Sequence, residues 1–423
     1  MPLRHLPVYP DLDLLKEQAR DLLGAIHAGD PGAVAELMEF HPDAPPPERA
    51  RLADARLVLA RSYHATNWTR LVQGVALVRA IWADDIDAVR TIVTRTPQLV
   101  HEDALIRKNS NWGPPMSYAA NVGRDGIIRM LHDMGATDHT HALGRAALQG
   151  KTGTARLLHE LLGKPTPPDG CFDGPAYTLN VEGTALMFEL GARVRDDGGK
   201  LLVRADTVIQ TDSRKPAAKH AILEMYVSHG VDLPDTAPTA VHRGSIELLE
   251  RQLRRDPLLL SRTFSHREIY PAELGCGDPI DATVGTPLDG ATLLHMCVDY
   301  DEIEIARWLL DNGMDVNARA RVGASGFGGY TALFATVVSQ PNFWMNYQQR
   351  GPFSAPFAEL LLERGADPNV RASLWKQLHP GYDDPPRREY RDVTALSWGQ
   401  QYPNKVFVSE PAMRLIADAG GVE

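Results

Sequence analysis

Between residues 292 and 319 apolar side chains arrive in two short bursts. Thr292-Leu-Leu-His-Met-Cys-Val is followed by a polar break, Asp299-Tyr-Asp-Glu, and then by Ile303-Glu-Ile-Ala-Arg-Trp-Leu-Leu, which ends at Asn312-Gly313. The pattern predicts two short helices joined by a tight turn, the second carrying its apolar stripe at Leu309–Leu310. Nearer the N-terminus the rhythm is longer. Leu12–Leu23, Leu52–Tyr63 and Trp68–Val78 read as amphipathic helices, with the Pro-rich Pro45-Pro-Pro47 as a breaker between the first two.

The two-burst pattern recurs. Residues 331–371 open on Thr-Ala-Leu-Phe-Ala and close on Leu-Leu-Leu-Glu-Arg-Gly-Ala-Asp-Pro-Asn-Val-Arg, and residues 114–138 run from Pro-Pro-Met-Ser-Tyr-Ala-Ala to Met-Gly-Ala-Thr-Asp. Weaker copies begin at Ala25, Ala80, Ala146 and Ala240. Degenerate ones occupy Tyr177–Gly191 and Lys219–Val231, and a last one Thr394–Gly420. Each part has a physical role. Thr292 and Thr331 are placed to cap a first helix. Ala119, Ala146 and Ala240 are small enough for neighbouring helices to approach closely. Gly135, Gly313 and Gly365 suit the left-handed position that ends a helix.

This grammar resembles the ankyrin repeat: a Thr-Pro-Leu-His-like opening, an Ala-x-x-x-Gly step, a Leu-rich second helix and a Gly-Ala-Asp-x-Asn exit. The resemblance covers roughly residues 80–420 and implies an all-α solenoid of stacked helix–turn–helix units with extended finger loops. Residues 1–79 are then an N-terminal helical cap, similar to the helical preamble of some bacterial ankyrin proteins, covering the exposed end of the array at 80–423. An ankyrin unit is about 33 residues long. Here the exit glycines 313, 365 and 420 fall 52 and 55 residues apart. The surplus lies in inserts at 101–114, 258–291, 338–355 and 371–393. They are rich in aromatic residues, which argues for order rather than disorder. Three of them lie at the junction that forms the finger in the family, over the concave side. Insert 338–355 instead separates a first helix from its second.

The family's groove-facing positions, the second and third x of Ala-x-x-x-Gly, fix the candidate site. The second positions are His27, Trp82, Asn121, Leu148, His242, Asp299 and Val337, and polar chemistry concentrates at His242, Arg243, Asp299 and Tyr300. These belong to adjacent repeats, with insert 258–291 between them carrying His266, Glu268 and Tyr270. Asn111, Trp112, Tyr330 and Trp344 of the other inserts and fingers complete the candidate binding set. In an acid–base reading His242 or His266 exchanges the proton, Asp299 orients the imidazole, and Arg243 with Tyr300 holds an anionic or carbonyl group. His295 takes the opening-motif His, a structural position in the family.

Composition narrows the classes. Lys plus Arg number 44 against 54 Asp plus Glu, a formal charge of −10, which speaks against nucleic acid as the main ligand. No stretch of 18 apolar residues suggests a membrane span, and the N-terminal residues lack a signal-peptide core. Three scattered cysteines suit a reducing, cytoplasmic setting. No metal or cofactor motif is found: His266-Arg-Glu268 lacks the Pro-Cys-x-x-Cys of a deaminase zinc site, and there is no phosphate loop. Two functions follow as expectations. One is a scaffold that binds a protein partner in the concave groove, with insert aromatics as anchors. The other is an enzyme or small-molecule binder with an acid–base pocket under inserts 258–291 and 338–355. Oligomeric state has no sequence signature.

Overall fold

The computed structural model describes residues 4–107, 110–211, 213–277, 286–338, 354–377, 387–403 and 405–423. Two compact units divide the chain: Met1–Pro167 with Leu186–Gly191, and Pro168–Ala185 with Ala192–Glu423.

The first unit begins with α1 (Leu12–His27), α2 (Pro31–Phe40) and α3 (Leu52–Ser62). Helix α1 buries Leu15, Ala19, Leu22 and Ile26, one stripe at helical spacing, and Asp11 caps it by accepting two backbone N–H bonds. Three hairpins follow: α4 (Trp68–Trp82) with α5 (Ile86–Arg95), α6 (Pro115–Val122) with α7 (Asp125–Asp133), and α8 (His139–Leu148) with α9 (Thr152–Leu161). First helices pack on first helices, α4 on α6 on α8, and second helices on second helices, α5 on α7 on α9. Ala119 and Ala146, both fully buried, supply the close approach expected of small residues in this layer.

Next come α10 (Asp173–Thr178), α11 (Val181–Glu189), α12 (Ala205–Ile209) and α13 (Pro216–Ser228). The second unit continues with α14 (Ala237–His242) and α15 (Ile246–Arg255), then a one-turn helix α16 (His266–Ile269) inside insert 258–291. Its last three hairpins are α17 (Leu293–Tyr300) with α18 (Ile303–Asp311), α19 (Ala332–Val337) with α20 (Pro356–Glu363), and α21 (Ala395–Gln401) with α22 (Glu410–Asp418). Again α14, α17, α19 and α21 form one layer, and α18, α20 and α22 the other.

The exit motif works as a latch. Asp315 and Asp367 each accept the backbone N–H two residues on, folding the turn (2.9 and 2.8 Å). Asn317 then donates to the Gly365 carbonyl and accepts from Asp367 N, and Asn369 does the same with Gly420 and Val422 (3.1 and 2.8 Å in each pair). Each repeat's asparagine thus satisfies backbone groups of the next repeat. Gly135, Gly313 and Gly365 have φ of +90°, +92° and +87°, as their sequence positions require. Thr331 departs from expectation: it stands before α19 but its side chain makes no capping bond, and its backbone pairs with Arg319 instead.

Described parts of the fingers pair as strands. Insert 371–393 contributes β1 (Ala372–Gln377) antiparallel to β2 (Arg387–Val393), so among the described residues the otherwise all-α chain carries one small sheet. Phe264 pairs with Ala291, Arg321 N bonds Gly290 O (2.8 Å) and Gly328 N bonds Ser373 O (2.7 Å), tying successive fingers edge to edge. Most of insert 338–355, including Trp344, lies outside the described residues.

Gly328, at φ +130°, marks where this edge is tightest, since a Cβ there would lie 2.2 Å from the Arg321 carbonyl oxygen. A Gly328→Ala variant should lower stability by about 2 kcal/mol or more, whereas Gly365→Ala, which meets only backbone strain, should cost about 1 kcal/mol. Urea unfolding checks the difference. Amide exchange in 319–331 should rise for the first variant alone.

Candidate functional site

The predicted cluster around His242 comes together, but as packed interior. Helix α13 sets its floor. Lys219, Ile222, Leu223 and Tyr226 are its buried residues, so a lysine occupies the first position of an apolar stripe. Lys219 is 1% exposed, and its Nζ donates to His242 Nδ1 at 2.8 Å while lying 3.8 Å above the Tyr300 ring. His242 Nε2 donates to the Ile269 carbonyl of insert 258–291 at 3.0 Å. Both imidazole nitrogens are therefore committed, and the tautomer is fixed with its proton on Nε2.

The remaining members close around this pair. The Tyr270 and Tyr300 hydroxyls bond each other at 2.5 Å, and Thr286 donates to Asp299 Oδ2 at 3.4 Å. His242, Asp299, Tyr270 and Tyr300 are all under 5% exposed. Insert 258–291 does reach the first-helix layer beside His242 and Asp299, and it fills the hollow there. The partners of the imidazole are Lys219 and a backbone carbonyl, where sequence reasoning had given that role to Asp299. Arg243 points elsewhere, forming a two-point ion pair with Glu224 (2.7 and 2.9 Å).

His266 donates from Nε2 to Gly277 O at 3.0 Å and rests its ring 4.8 Å from Tyr270. Glu268 caps the turn at Ser265 and pairs with Arg262. Tyr330 is buried, and its carbonyl accepts from His295 Nε2 at 3.0 Å. His295 Nδ1 in turn takes Thr292 Oγ1 at 2.9 Å, so the opening-motif histidine joins its own helix start to the next finger, as expected.

Burial dominates the electrostatics. It draws Lys219 down from the usual lysine range to about 7, with Glu302 opposing and Arg214 adding to the shift. His242 is held well below the ordinary imidazole range, first by burial and then by the Lys219 charge. His295 falls to about 4 by burial, and the Cys276 thiol rises to about 12 for the same reason. Among the described residues no group of three or more His, Cys, Asp or Glu could hold a metal ion.

A second arrangement, in the first unit, was not legible as a site. Trp82 Nε1 donates to the Tyr118 hydroxyl (2.9 Å), which donates to the Val8 carbonyl (2.5 Å). Trp112, from insert 101–114, lies 5.0 Å from Tyr118 between ring centroids, and the Arg145 guanidinium lies 5.5 Å from the Trp112 ring. On the near side Tyr9 meets Trp82 edge-on at 5.8 Å beneath Arg79. The result is a row of aromatic rings and cations along α4, α6 and α8. Trp82 and Trp112 are half-buried, and Asn111 beside Trp112 is exposed. Of the row's members the sequence pointed to Trp82 and Trp112, and to Asn121 beside Arg145; Tyr118 and Arg145 were not among its candidates.

A family model described as the ankyrin repeat matches residues 289–321, the stretch that holds α17, α18 and the Asn317 latch. Residues 289–321 carry an ankyrin repeat. No curated protein matches its sequence. Among solved structures, the human ASB11 ankyrin repeat domain is similar at 14% identity and a TM-score of 0.28, covering 73% of this chain and 99% of that one. The ankyrin repeat domain of Bcl-3, a member of the IkappaB protein family, is similar at 15% identity and a TM-score of 0.21, covering 81% of this chain and 97% of that one. Among the described residues no helix of this chain is long and apolar enough to cross a membrane.

Two pH responses follow from the buried groups. Lys219 has a folded pKa below its unfolded one, so between pH 7 and about 10 the unfolded chain holds the extra proton and stability rises with pH. The urea midpoint of the wild type should climb through that window, and that of Lys219→Met should stay flatter. For His295 the window is acidic. From pH 6.5 down to about 4 only the unfolded imidazole takes a proton, so stability falls on acidification, by on the order of 3 kcal/mol. His295→Gln should flatten that fall, as read by unfolding curves across the window.

Proposed function

We propose that this chain is a recognition scaffold that binds a polypeptide in the groove of its first unit, with Trp112 as the principal anchor. Ankyrin repeats are generally protein-interaction scaffolds, which gives the class. The observation that carries the reading is the row Trp82–Tyr118–Trp112–Arg145. Its rings and guanidinium come from successive repeats, and two of its indoles remain partly open to solvent. Tryptophan and arginine are the residue types that dominate binding energy at protein interfaces. Indole faces flanked by cations suit a chain segment laid across several repeats.

The His242 cluster supports the same reading. Its imidazole has no free nitrogen, its tyrosines bond each other, and Lys219 is spent holding His242 in place. The network acts as an internal strut between α13, α14, α17 and insert 258–291, stiffening the second unit. That leaves acid–base chemistry at His242 without a reacting position.

The test is capture on immobilised full-length protein. A polypeptide retained by the wild type should be lost at least tenfold from Trp112→Ala, with the variant's melting temperature within a few degrees of wild type; the loss corresponds to about 1.4 kcal/mol. Equal retention by both proteins would remove Trp112 as anchor. A metabolite that raises the melting temperature of wild type but not of His242→Ala would instead favour a small-molecule site at the buried cluster.

A further inference from the structure

We infer that Arg145 is the floor of a carboxylate-binding subsite, which takes an Asp or Glu side chain of the polypeptide that the first unit binds; this rests on the scaffold reading above. The motivating observation is an uncompensated buried cation. Arg145 is 7% exposed, yet its one hydrogen bond runs from Nε to the neutral Asn121 Oδ1 at 2.8 Å. Among the described residues no carboxylate lies within ion-pair reach of it.

Three other arginines of this unit have fuller sets of partners. Arg4 sits on Glu36 and Arg70 on Glu102, each at 2.9 Å, and Arg124 spends its guanidinium on the Ile81 and Trp82 carbonyls. A guanidinium keeps its charge at any ordinary pH, so burying one beside a neutral amide is unfavourable unless another anion completes the site.

The surroundings hold Arg145 ready for such a partner. Asn121 Nδ2 donates to the Ser117 carbonyl at 2.9 Å, which turns its Oδ1 toward Arg145. The Trp112 ring lies 5.5 Å away and restrains the guanidinium plane. With Nε committed, the two terminal nitrogens remain. Two parallel N–H donors match the two oxygens of a carboxylate, and a phosphate would call for more donors than this fork supplies. His141, a titratable neighbour on α8, has its Nδ1 engaged with Ser117 Oγ at 2.9 Å; Asp138 takes the same serine on Oδ2, and its Oδ1 is buried without a hydrogen-bond partner. Neither side chain forms a hydrogen bond or an ion pair with the guanidinium.

The experiment uses the full-length protein and two small probes, acetyl-glutamate amide and acetyl-glutamine amide, at matched ionic strength. At about 50 mM the glutamate probe should raise the wild-type melting temperature by roughly 1 °C over the glutamine probe. Arg145→Met should abolish the difference. Arg145→Lys, which keeps the charge without the fork, should reduce it at least threefold, and it serves alone if the Met variant does not fold. The proposal is overturned if the wild type responds equally to both probes, if either variant keeps the full response, or if inorganic phosphate gives the larger shift. A wild type that captures a polypeptide through Trp112 yet ignores the glutamate probe overturns the subsite and leaves the scaffold reading standing.

Discussion

A hairpin of two short helices cannot bury its own apolar faces, and every other feature of this molecule follows from that deficit. Helices of 6–10 residues, such as α14, α17 and α19, fall below the length at which an isolated helix holds in water. They persist because each lies between neighbours whose alanines permit close contact. The asparagine latch makes the stacking directional. Asn317 and Asn369 reach forward to the next exit turn, so register passes from repeat to repeat through backbone groups that would otherwise lack partners.

Once stacking is secured, the first-helix layer has to deal with polar groups, and the two units do so differently. In the second unit the described residues of insert 258–291 close over it. Ile269 offers a carbonyl to His242, Tyr270 a hydroxyl to Tyr300 and Thr286 a hydroxyl to Asp299. In the first unit the corresponding insert is shorter and contributes mainly Trp112, which leans on Tyr118 and leaves part of the layer open to solvent. Insert length thus decides whether side chains of this layer become interior struts or remain partly open to solvent.

The repeat plan was legible because its signals are local. A capping residue, a glycine at a left-handed position and a leucine stripe each act within a few residues, so helix positions such as Leu52–Ser62 and Leu293–Tyr300 could be read from spacing alone. The site was legible only in part. The sequence groups His242, Arg243, Asp299 and Tyr300 as groove positions of adjacent repeats; the His242 and Tyr300 rings do meet, at 5.0 Å, whereas Arg243 turns to Glu224. The burial of the cluster was not legible, because it depends on how a long insert folds, and insert 258–291 has no repeat to copy. Lys219 did carry a sign: it occupies an apolar stripe with Ile222, Leu223 and Tyr226, and a lysine on such a stripe is either misplaced or engaged. Arg145 carried a fainter one, standing on an inner helix just before the small Ala146 where its neighbours are apolar. The strand pair β1–β2 has no counterpart in the repeat pattern, and the charges of Arg387-Arg-Glu-Tyr-Arg-Asp mask the alternation that places Tyr390 opposite Leu374.

The contrast between Lys219 and Arg145 shows how residue chemistry sorts these two places. A buried lysine can shed its proton, and at about 7 Lys219 stands where doing so is inexpensive near neutrality. Its amine still donates to His242 Nδ1 once neutral, so the strut survives loss of the charge. Arginine has no such exit. Burial lowers the Arg145 pKa without bringing it near neutrality, so the group remains a cation with a neutral amide as its one hydrogen-bond partner. The sealed network therefore holds the base that can adapt to burial, and the partly open layer holds the one that cannot. A fixed charge is tolerable only where water or an anion can reach it, which is the physical ground on which the proposed partner is placed at the first unit.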